Sequence, residues 1–448
     1  MISEQSIFEP TPTKPALSEY QLKGAKWLAS RRRAILADDI GLGKTATAIA
    51  AADLLSPKQT LVISPLSLLP QWREEIQRFA RDSRNHWTLV NYEKAKHSTK
   101  KYDCLIVDEA SYIKSPEAQR SEAVLKIALK TTSVFFLTAT PVRNHPSDLI
   151  NMIFACSTPP REDDLSVPLK AVWWRWARKY FNVKQGYFGG VEVGRLMPFM
   201  REEWDGLVEK FMLRRTKEML QLPPLSHEGI TVPWGDAMQE CAYRTAEAGV
   251  IYLDTGEGQK IANALALSMR LRQCALDPAL FGGVGGSGKT DWVVEYMQGE
   301  GQNHKTLLFT EFASYAVALA EQMKKWKPAL LVGSMGPGQR AEQIALWKSG
   351  KTNLFILSSQ AGGFGLNLQE ADVVIHADLP WTPDVLQQRT GRAYRRGQQK
   401  PVHEIILGHK DTIDGHMYHL LCRKHKIASE TVAIATVLQE IRGKLVGK

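Results

Sequence analysis

Short apolar runs alternate along the chain with longer segments whose apolar residues recur every three to four positions. Runs of the first kind are Ala34–Leu36, Thr60–Ser64, Trp87–Val90, Cys104–Val107 and Val134–Thr138. Between them, Leu66–Ala80 and Glu117–Leu129 carry helical spacing. A second set follows at Thr306–Phe309, Ala329–Val332, Asn353–Leu357, Val373–His376 and Val402–Leu407. This alternation predicts an α/β fold of two lobes, each a parallel sheet with helices on both faces. Residues 156 to 285 read as mainly helical, broken by Gln221-Leu-Pro-Pro224 and by the glycines of 282–288. The expected division is a first lobe over 1–155, a helical inter-lobe and protrusion region over 156–285, a second lobe over 286–410 and a basic helical brace over 411–448.

Composition narrows the class. A chain of 448 residues with 44% hydrophobic content fills two or three cores at roughly 150 residues each. The net charge of +10 favours a polyanionic partner, although basic proteins without one are common. Cys104, Cys156, Cys241, Cys274 and Cys422 lie far apart with no Cys-x-x-Cys pair, against a zinc site or disulfide framework and suited to a reducing compartment. Met1–Lys14 is polar with no apolar signal core, and no uninterrupted apolar stretch reaches the roughly 18 residues of a membrane span. A soluble monomer is expected, cytoplasmic in a bacterium or a virus-infected cell and nuclear in a eukaryote.

Ligands of open parallel sheets collect at the carboxyl ends of the strands. Ala34–Leu36 leads into Asp38-Asp-Ile-Gly-Leu-Gly-Lys-Thr45 and an alanine-rich helix. Such a glycine turn aims backbone N–H groups and a helix N-terminus at a polyphosphate. Lys44 would reach the terminal phosphates and the Thr45 hydroxyl would hold magnesium. Cys104–Val107 ends in Asp108 and Glu109, a metal ligand and a base that orients water. A third strand ends in Thr138-Ala-Thr-Pro141. Their convergence predicts a nucleotide triphosphatase that uses Mg2+. The strict Gly-x-x-x-x-Gly-Lys-Thr pattern stands elsewhere, at Gly283–Thr290, after a poor strand and among five glycines in seven residues. That stretch reads as a flexible linker capping the next helix, so Lys44 is chosen over Lys289.

These segments resemble the Swi/Snf family of ATPases within helicase superfamily two, over nearly the whole chain. Leu17-Ser-Glu-Tyr-Gln-Leu-Lys-Gly-Ala-Lys-Trp-Leu28 resembles the adenine-recognition segment and implies Gln21 on the base. Asp38–Thr45 resembles the phosphate loop, which implies nucleotide contacts at Asp39, Gly41, Gly43, Lys44 and Thr45. Ile63-Ser-Pro-Leu-Ser-Leu-Leu-Pro-Gln-Trp-Arg-Glu-Glu75 is similar to a DNA-backbone segment, and Leu137–Pro141 with Asn144 to the segment coupling hydrolysis to DNA. Leu308–Phe312, Gly333 through Arg340, Ser358–Leu368 and Asp378-Leu-Pro-Trp-Thr-Pro383 resemble second-lobe motifs. Gln388-Arg-Thr-Gly-Arg-Ala-Tyr-Arg395 implies a catalytic Gln388 with Arg392 and Arg395 as arginine fingers. Leu36–Ile40, Lys184–Gly189 and Met212–Pro224 look most like the compact annealing-helicase branch. Two departures stand out: Ser111 where the family commonly has His, which implies altered coupling between DNA and ATP, and Gly391 where aspartate is common.

The resemblance implies two RecA-like lobes, hydrolysis on closure, and sequence-tolerant contacts to duplex DNA from Ser64, Ser67, Thr138, Ser359, Gly362 and Trp381. The expected activity is ATP-dependent translocation on double-stranded DNA, remodelling or annealing DNA structures. A strand-separating DNA or RNA helicase and a catalytically silent nucleic-acid scaffold are the alternatives. Trp173, Trp176 and Tyr180 fall on one helical face and are expected to be buried rather than to stack on bases. The Arg423–Lys426 stretch is expected to be a solvated face or part of a brace across both lobes.

Overall fold

The computed structural model describes residues 16–98, 100–142, 145–160, 167–185, 191–252, 258–260, 264–359 and 366–422. The apolar runs of the first set form β1 (Arg33–Leu36), β2 (Gln59–Ile63), β3 (His86–Val90), β4 (Cys104–Val107) and β5 (Ser133–Leu137). An antiparallel hairpin follows, β6 (Phe181–Gln185) and β7 (Val191–Leu196), then the two-residue β8 (Met212–Leu213). The first sheet has the order β3-β2-β4-β5-β1-β8, with every pairing parallel. Alternate residues of its strands feed two cores, as the twofold period of a strand requires. Ile35, Leu105, Val107 and Phe136 face one core, and Leu36, Cys104, Ile106 and Leu137 the other. Both faces are therefore covered, which is why these strands read as continuous apolar runs.

Arg33 is the charged exception in β1. Its guanidinium donates to the Ala155 carbonyl at 2.8 and 3.0 Å, to Ala128 at 2.9 Å and to Thr131. It thus satisfies carbonyls at the ends of the Gln119–Lys130 and Ile150–Ser157 helices and ties both to the sheet.

The second sheet draws on β9 (Leu225–Thr231), β12 (Thr306–Thr310), β13 (Ala329–Leu331), β14 (Leu354–Ser358), β15 (Val373–His376) and β16 (Val402–Gly408). A small antiparallel pair, β10 (Val250–Tyr252) and β11 (Gly258–Lys260), lies between β9 and β12 in sequence. The order is β13-β14-β12-β15-β16-β9, again parallel throughout.

The middle of the chain carries the expected helices and also gives each sheet an edge strand. β8 joins the first sheet beside β1, and β9 joins the second along the full length of β16. The helices Leu169–Tyr180 and Arg201–Phe211 pack into the first lobe, where Trp173, Tyr180, Trp204 and Val208 share a core with Ile35. Burial of Trp173 and Tyr180 matches the helical-face reading, with Trp176 packed partly buried beside them. Residues 156–285 are thus divided between the lobes, and the chain crosses in 214–224. Neither β8 nor β9 shows an apolar run long enough to announce a strand; pairing with an already formed edge holds them.

The glycines of 282–288 are likewise firmly placed. Ser287 caps the Gly288–Gln298 helix by accepting from Thr290 N–H, Asp236 accepts from Gly286 N–H at 2.6 Å, and Gln239 accepts from Gly288 N–H at 3.1 Å. Cap and side-chain acceptors replace the expected flexible linker. The start of the C-terminal brace packs on the second lobe, with Met417 and Leu421 against Leu379; Arg423–Lys426 lie outside the described residues. Among the described residues no helix is long and apolar enough to cross a membrane.

Candidate active site

β1 delivers the chain into the glycine turn at the carboxyl edge of the first sheet. Gly41 and Gly43 have φ of 92° and 75°, the left-handed region open to glycine, and Gly43 is the N-cap of the Lys44–Leu55 helix. Lys44 Nζ donates to the Asp38 carbonyl at 2.8 Å and the Asp39 carbonyl at 3.3 Å, folded back onto its own loop. Burial lowers its pKa, opposed by the carboxylates of Glu109, Asp38, Asp108 and Asp39 around it. Thr45 stands in the first turn of that helix, half-buried. Gln21 clasps the turn from the Glu19–Arg31 helix: its amide donates to the Leu42 carbonyl at 3.2 Å and accepts from Ser18 N–H at 3.0 Å.

Two arginines that sequence reasoning did not single out brace this loop. Arg215 forms a two-pronged ion pair with Asp38, with Nε to Oδ1 at 3.0 Å, and also donates to the Tyr20 carbonyl. Asp38 fills the position of the first glycine in the strict pattern and is fully buried, so Arg215 is what makes that departure tolerable. Arg214 donates to Asp39 Oδ1 at 2.9 Å and to the carbonyls of Ala37 and Ala139 at 3.0 and 3.2 Å. Asp39 Oδ2 accepts from Lys217 N–H at 3.1 Å. Both Asp39 oxygens are thereby engaged as acceptors that brace the loop. The signal in the sequence was the Arg-Arg pair itself, matching the Asp-Asp pair in charge and number.

β4 ends at Asp108, 9% exposed. Its Oδ2 accepts from the Trp72 indole N–H at 2.8 Å and from the Ser64 hydroxyl at 3.2 Å, and its Oδ1 from Glu109 N–H at 2.9 Å. Burial raises its pKa, while Trp72, Lys44, the Glu109 N–H and Ser64 act against the shift. Glu109 adopts φ 50°, ψ 49°, a left-handed conformation uncommon outside glycine and concentrated at functional sites. Tyr92 holds this turn by donating to the Asp108 carbonyl at 2.6 Å and the Glu109 carbonyl at 3.2 Å. The Ser111 hydroxyl is buried with no hydrogen-bond partner among the described residues.

The second lobe meets the loop through the turn after the Pro383–Thr390 helix. A side chain on Gly41 would come within 2.7 Å of Arg395 Cβ, and one on Gly391 within 2.7 Å of the Ile40 side chain. That close approach explains glycine, not aspartate, at 391. Arg392 is 7% exposed; burial chiefly lowers its pKa to about 10, with Arg395 adding to the shift and Glu109 opposing it. Arg395 lies within the field of Glu75 and, like Arg392, donates to the Leu366 carbonyl, at 3.3 and 3.4 Å respectively. Arg396 donates to Gln21 Oε1 at 3.3 Å and to the Ser18 hydroxyl at 3.0 Å. Lys217 Nζ donates to the Tyr394 carbonyl at 2.8 Å, and burial lowers its pKa to about 8. Gln388 is buried on the helix just before this turn.

The arginine turn is itself anchored. Arg389 donates to the Asp378 carbonyl at 2.8 Å and pairs with Glu311 and Ser359. His376 bonds Glu404 at 2.9 Å, and Thr390 and His227 also bond Glu404, linking the helix to β15, β16 and β9.

The expected nucleic-acid contacts separate. Ser67 is exposed at the head of the Leu69–Phe79 helix. Ser64 and Thr138 are fully buried, Ser64 donating to Asp108 and Thr138 accepting from Thr140 N–H at 3.1 Å. Ser359 Oγ accepts from Arg389 at 2.9 Å. These three hydroxyls each hold an internal partner. Trp381, half-buried, lies under Arg272 and against the cluster of Leu379 and Met417. Gly362 and Asn144 lie outside the described residues. Lys289 is fully buried against Asp414 at 2.9 Å and the Ala377 carbonyl at 3.0 Å, its charge already matched.

The fold and the seam define a two-lobed phosphate-loop architecture. The chain matches the model of the SNF2-related domain over residues 20–99 and 87–280, and that of the helicase conserved C-terminal domain over 288–397. The first match spans more than half of the molecule: the chain belongs to the SNF2-related family. It is 27% identical to a chromodomain-helicase-DNA-binding protein 1-like of Danio rerio, covering 96% of this chain and 44% of the relative. It is 28% identical to the putative ATP-dependent helicase/translocase YwqA of Bacillus subtilis (87% and 46%), and 26% identical to the DNA annealing helicase and endonuclease ZRANB3 of Bos taurus (96% and 42%). The chain thus spans less than half the length of these relatives. A solved Sulfolobus solfataricus SWI2/SNF2 ATPase core in complex with dsDNA is 25% identical over 98% of both chains, with a TM-score of 0.41.

Proposed function

We propose that the chain hydrolyses ATP at the seam between its lobes and uses the cycle to move along double-stranded DNA. The observation that carries this reading is the approach of the Arg392–Arg396 turn to the glycine loop, Gly41 against Arg395, with Arg392 in the field of Glu109. Lys44 leaves its own carbonyls to meet the terminal phosphates. Glu109 orients and deprotonates the attacking water. Arg392 and Arg395 neutralise charge developing on the transferred phosphoryl group. The residues fit magnesium: Asp108 Oδ1 accepts a single hydrogen bond and keeps a lone pair beside Lys44, and nucleotide-bound magnesium needs only one or two carboxylates. Asp108 and Thr45 would hold the ion, which when bound offsets charge on the terminal phosphates.

Duplex DNA as the track rests on the net charge of +10, the exposed Ser67 and the DNA in the names of two relatives. The Leu69–Phe79 helix runs from that serine to Trp72 on Asp108 and Glu75 beside Arg395, so a push on its head reaches both halves of the seam. Remodelling or annealing of DNA structures is the expected outcome. The test is phosphate release with duplex, forked and single-stranded DNA and with RNA, followed by fork unwinding. Greatest stimulation by duplex DNA is expected, with loss of turnover in Lys44→Ala. Equal stimulation by single-stranded RNA, or efficient unwinding, would point to a strand-separating helicase instead. A sample inert with every polynucleotide would leave a scaffold.

A further inference from the structure

The crossing segment 214–224 does more than connect. Arg214 and Arg215 fasten its start to the phosphate loop, and β9 fastens its end to the second sheet. Between them, Lys217 reaches both halves of the seam. Its backbone N–H donates to Asp39 Oδ2 at 3.1 Å, and its ammonium donates at 2.8 Å to the carbonyl of Tyr394, between Arg392 and Arg395. The ammonium also sits 5.1 Å from the Tyr394 ring centroid.

We propose that Lys217 is a positioning residue that staples the phosphate loop to the arginine-bearing turn and so holds the lobes closed on a bound nucleotide. The chemistry suits a reversible staple. A lysine carries its donors on a flexible four-carbon stem, whereas the Arg214 and Arg215 forks are fixed by planar geometry on carboxylates. The charges that reach Lys217 are Asp39 from the loop, Lys44 from its helix, Arg395 from the arginine turn and Glu404 from β16. Lys44 and Arg395 repel it when the seam is empty. Nucleotide phosphates arriving between those cations supply the missing negative charge, so the staple holds tightest when the site is loaded.

The inference rests on the ATP-seam reading, and its test is separable from it. Small-angle scattering of the full chain is measured with and without Mg2+ and a non-hydrolysable ATP analogue. Wild type is expected to compact on loading, Lys217→Met to lose that compaction, and Lys217→Arg to retain most of it. A fluorescent ATP analogue is expected to bind Lys217→Met within a few-fold of wild type, because Arg214 and Arg215 still brace the loop. Its kcat is expected to fall about ten-fold or more without a matching rise in KM. Compaction of Lys217→Met equal to wild type, or a wild type that never compacts, overturns the staple whatever the activity. Failure of wild type to release phosphate with any polynucleotide would instead overturn the seam reading.

Discussion

Asp38 lies wholly out of solvent with Arg215 wrapped around its carboxylate. Removing one partner of a buried ion pair strands the other charge, so Arg215→Ala should lower unfolding stability by about 3–5 kcal/mol. Urea denaturation measures this; a loss under 1 kcal/mol would show that Asp38 needs no such partner. Trp72 makes a subtler case. Its ring packs in the core under the first sheet, while its indole N–H reaches Asp108 at 2.8 Å. Trp72→Phe keeps most of the packing and removes the hydrogen bond. The Mg2+ concentration giving half-maximal analogue binding should rise several-fold, while metal-free nucleotide affinity holds. An unchanged metal requirement would reduce Trp72 to a packing residue.

At the scale of elements, the two lysines that follow glycine loops separate by what surrounds them. Lys289 is matched by Asp414 inside the second lobe, so Lys289→Ala should lower the melting temperature and leave turnover of the surviving folded protein intact. Lys44→Ala should do the reverse. Turnover lost in Lys289→Ala alone would invert the assignment. The joint of β9 with β16 carries a pH dependence. His409 stacks on Trp234 at 4.2 Å, donates from Nδ1–H to the Val232 carbonyl at 2.9 Å, and its pKa is held at about 4, chiefly by burial and also by Lys289. The unfolded chain takes up this proton near pH 6.5 and the folded one only near 4. Stability is therefore full above pH 6.5 and declines as pH falls toward 4, by about 3 kcal/mol at one site. His409→Gln should flatten that slope in urea midpoints between pH 7 and 4; an unaltered slope would place the proton uptake elsewhere.

For the whole molecule, the division of the site between two lobes makes chemistry depend on closure. Arg392→Ala or Arg395→Ala should lower kcat by on the order of 10³, the lower end of what such arginines supply elsewhere, with nucleotide affinity changed far less. Comparable losses in kcat and in analogue binding would mean that these arginines hold the nucleotide rather than the reacting phosphoryl group. Grip on the polymer should be steeply salt-dependent and indifferent to base sequence, since phosphate contacts release counterions. A flat salt dependence would exclude a track of phosphates.

Most of the sheet strands and the acidic and glycine-turn residues were legible because their cause is local. A strand buried on both faces must be apolar along its length, as β4 and β15 are, and a loop that cradles phosphate needs glycine at positive φ. Arg214, Arg215, Lys217 and Trp72 were not legible as site residues, since each acts on a partner distant in sequence. The same holds for β8 and β9, whose own residues carry little strand signal. Local chemistry chose the edge where a ligand would sit. Folding chose which charges face one another across it, because burial makes an unmatched charge costly wherever the chain brings it.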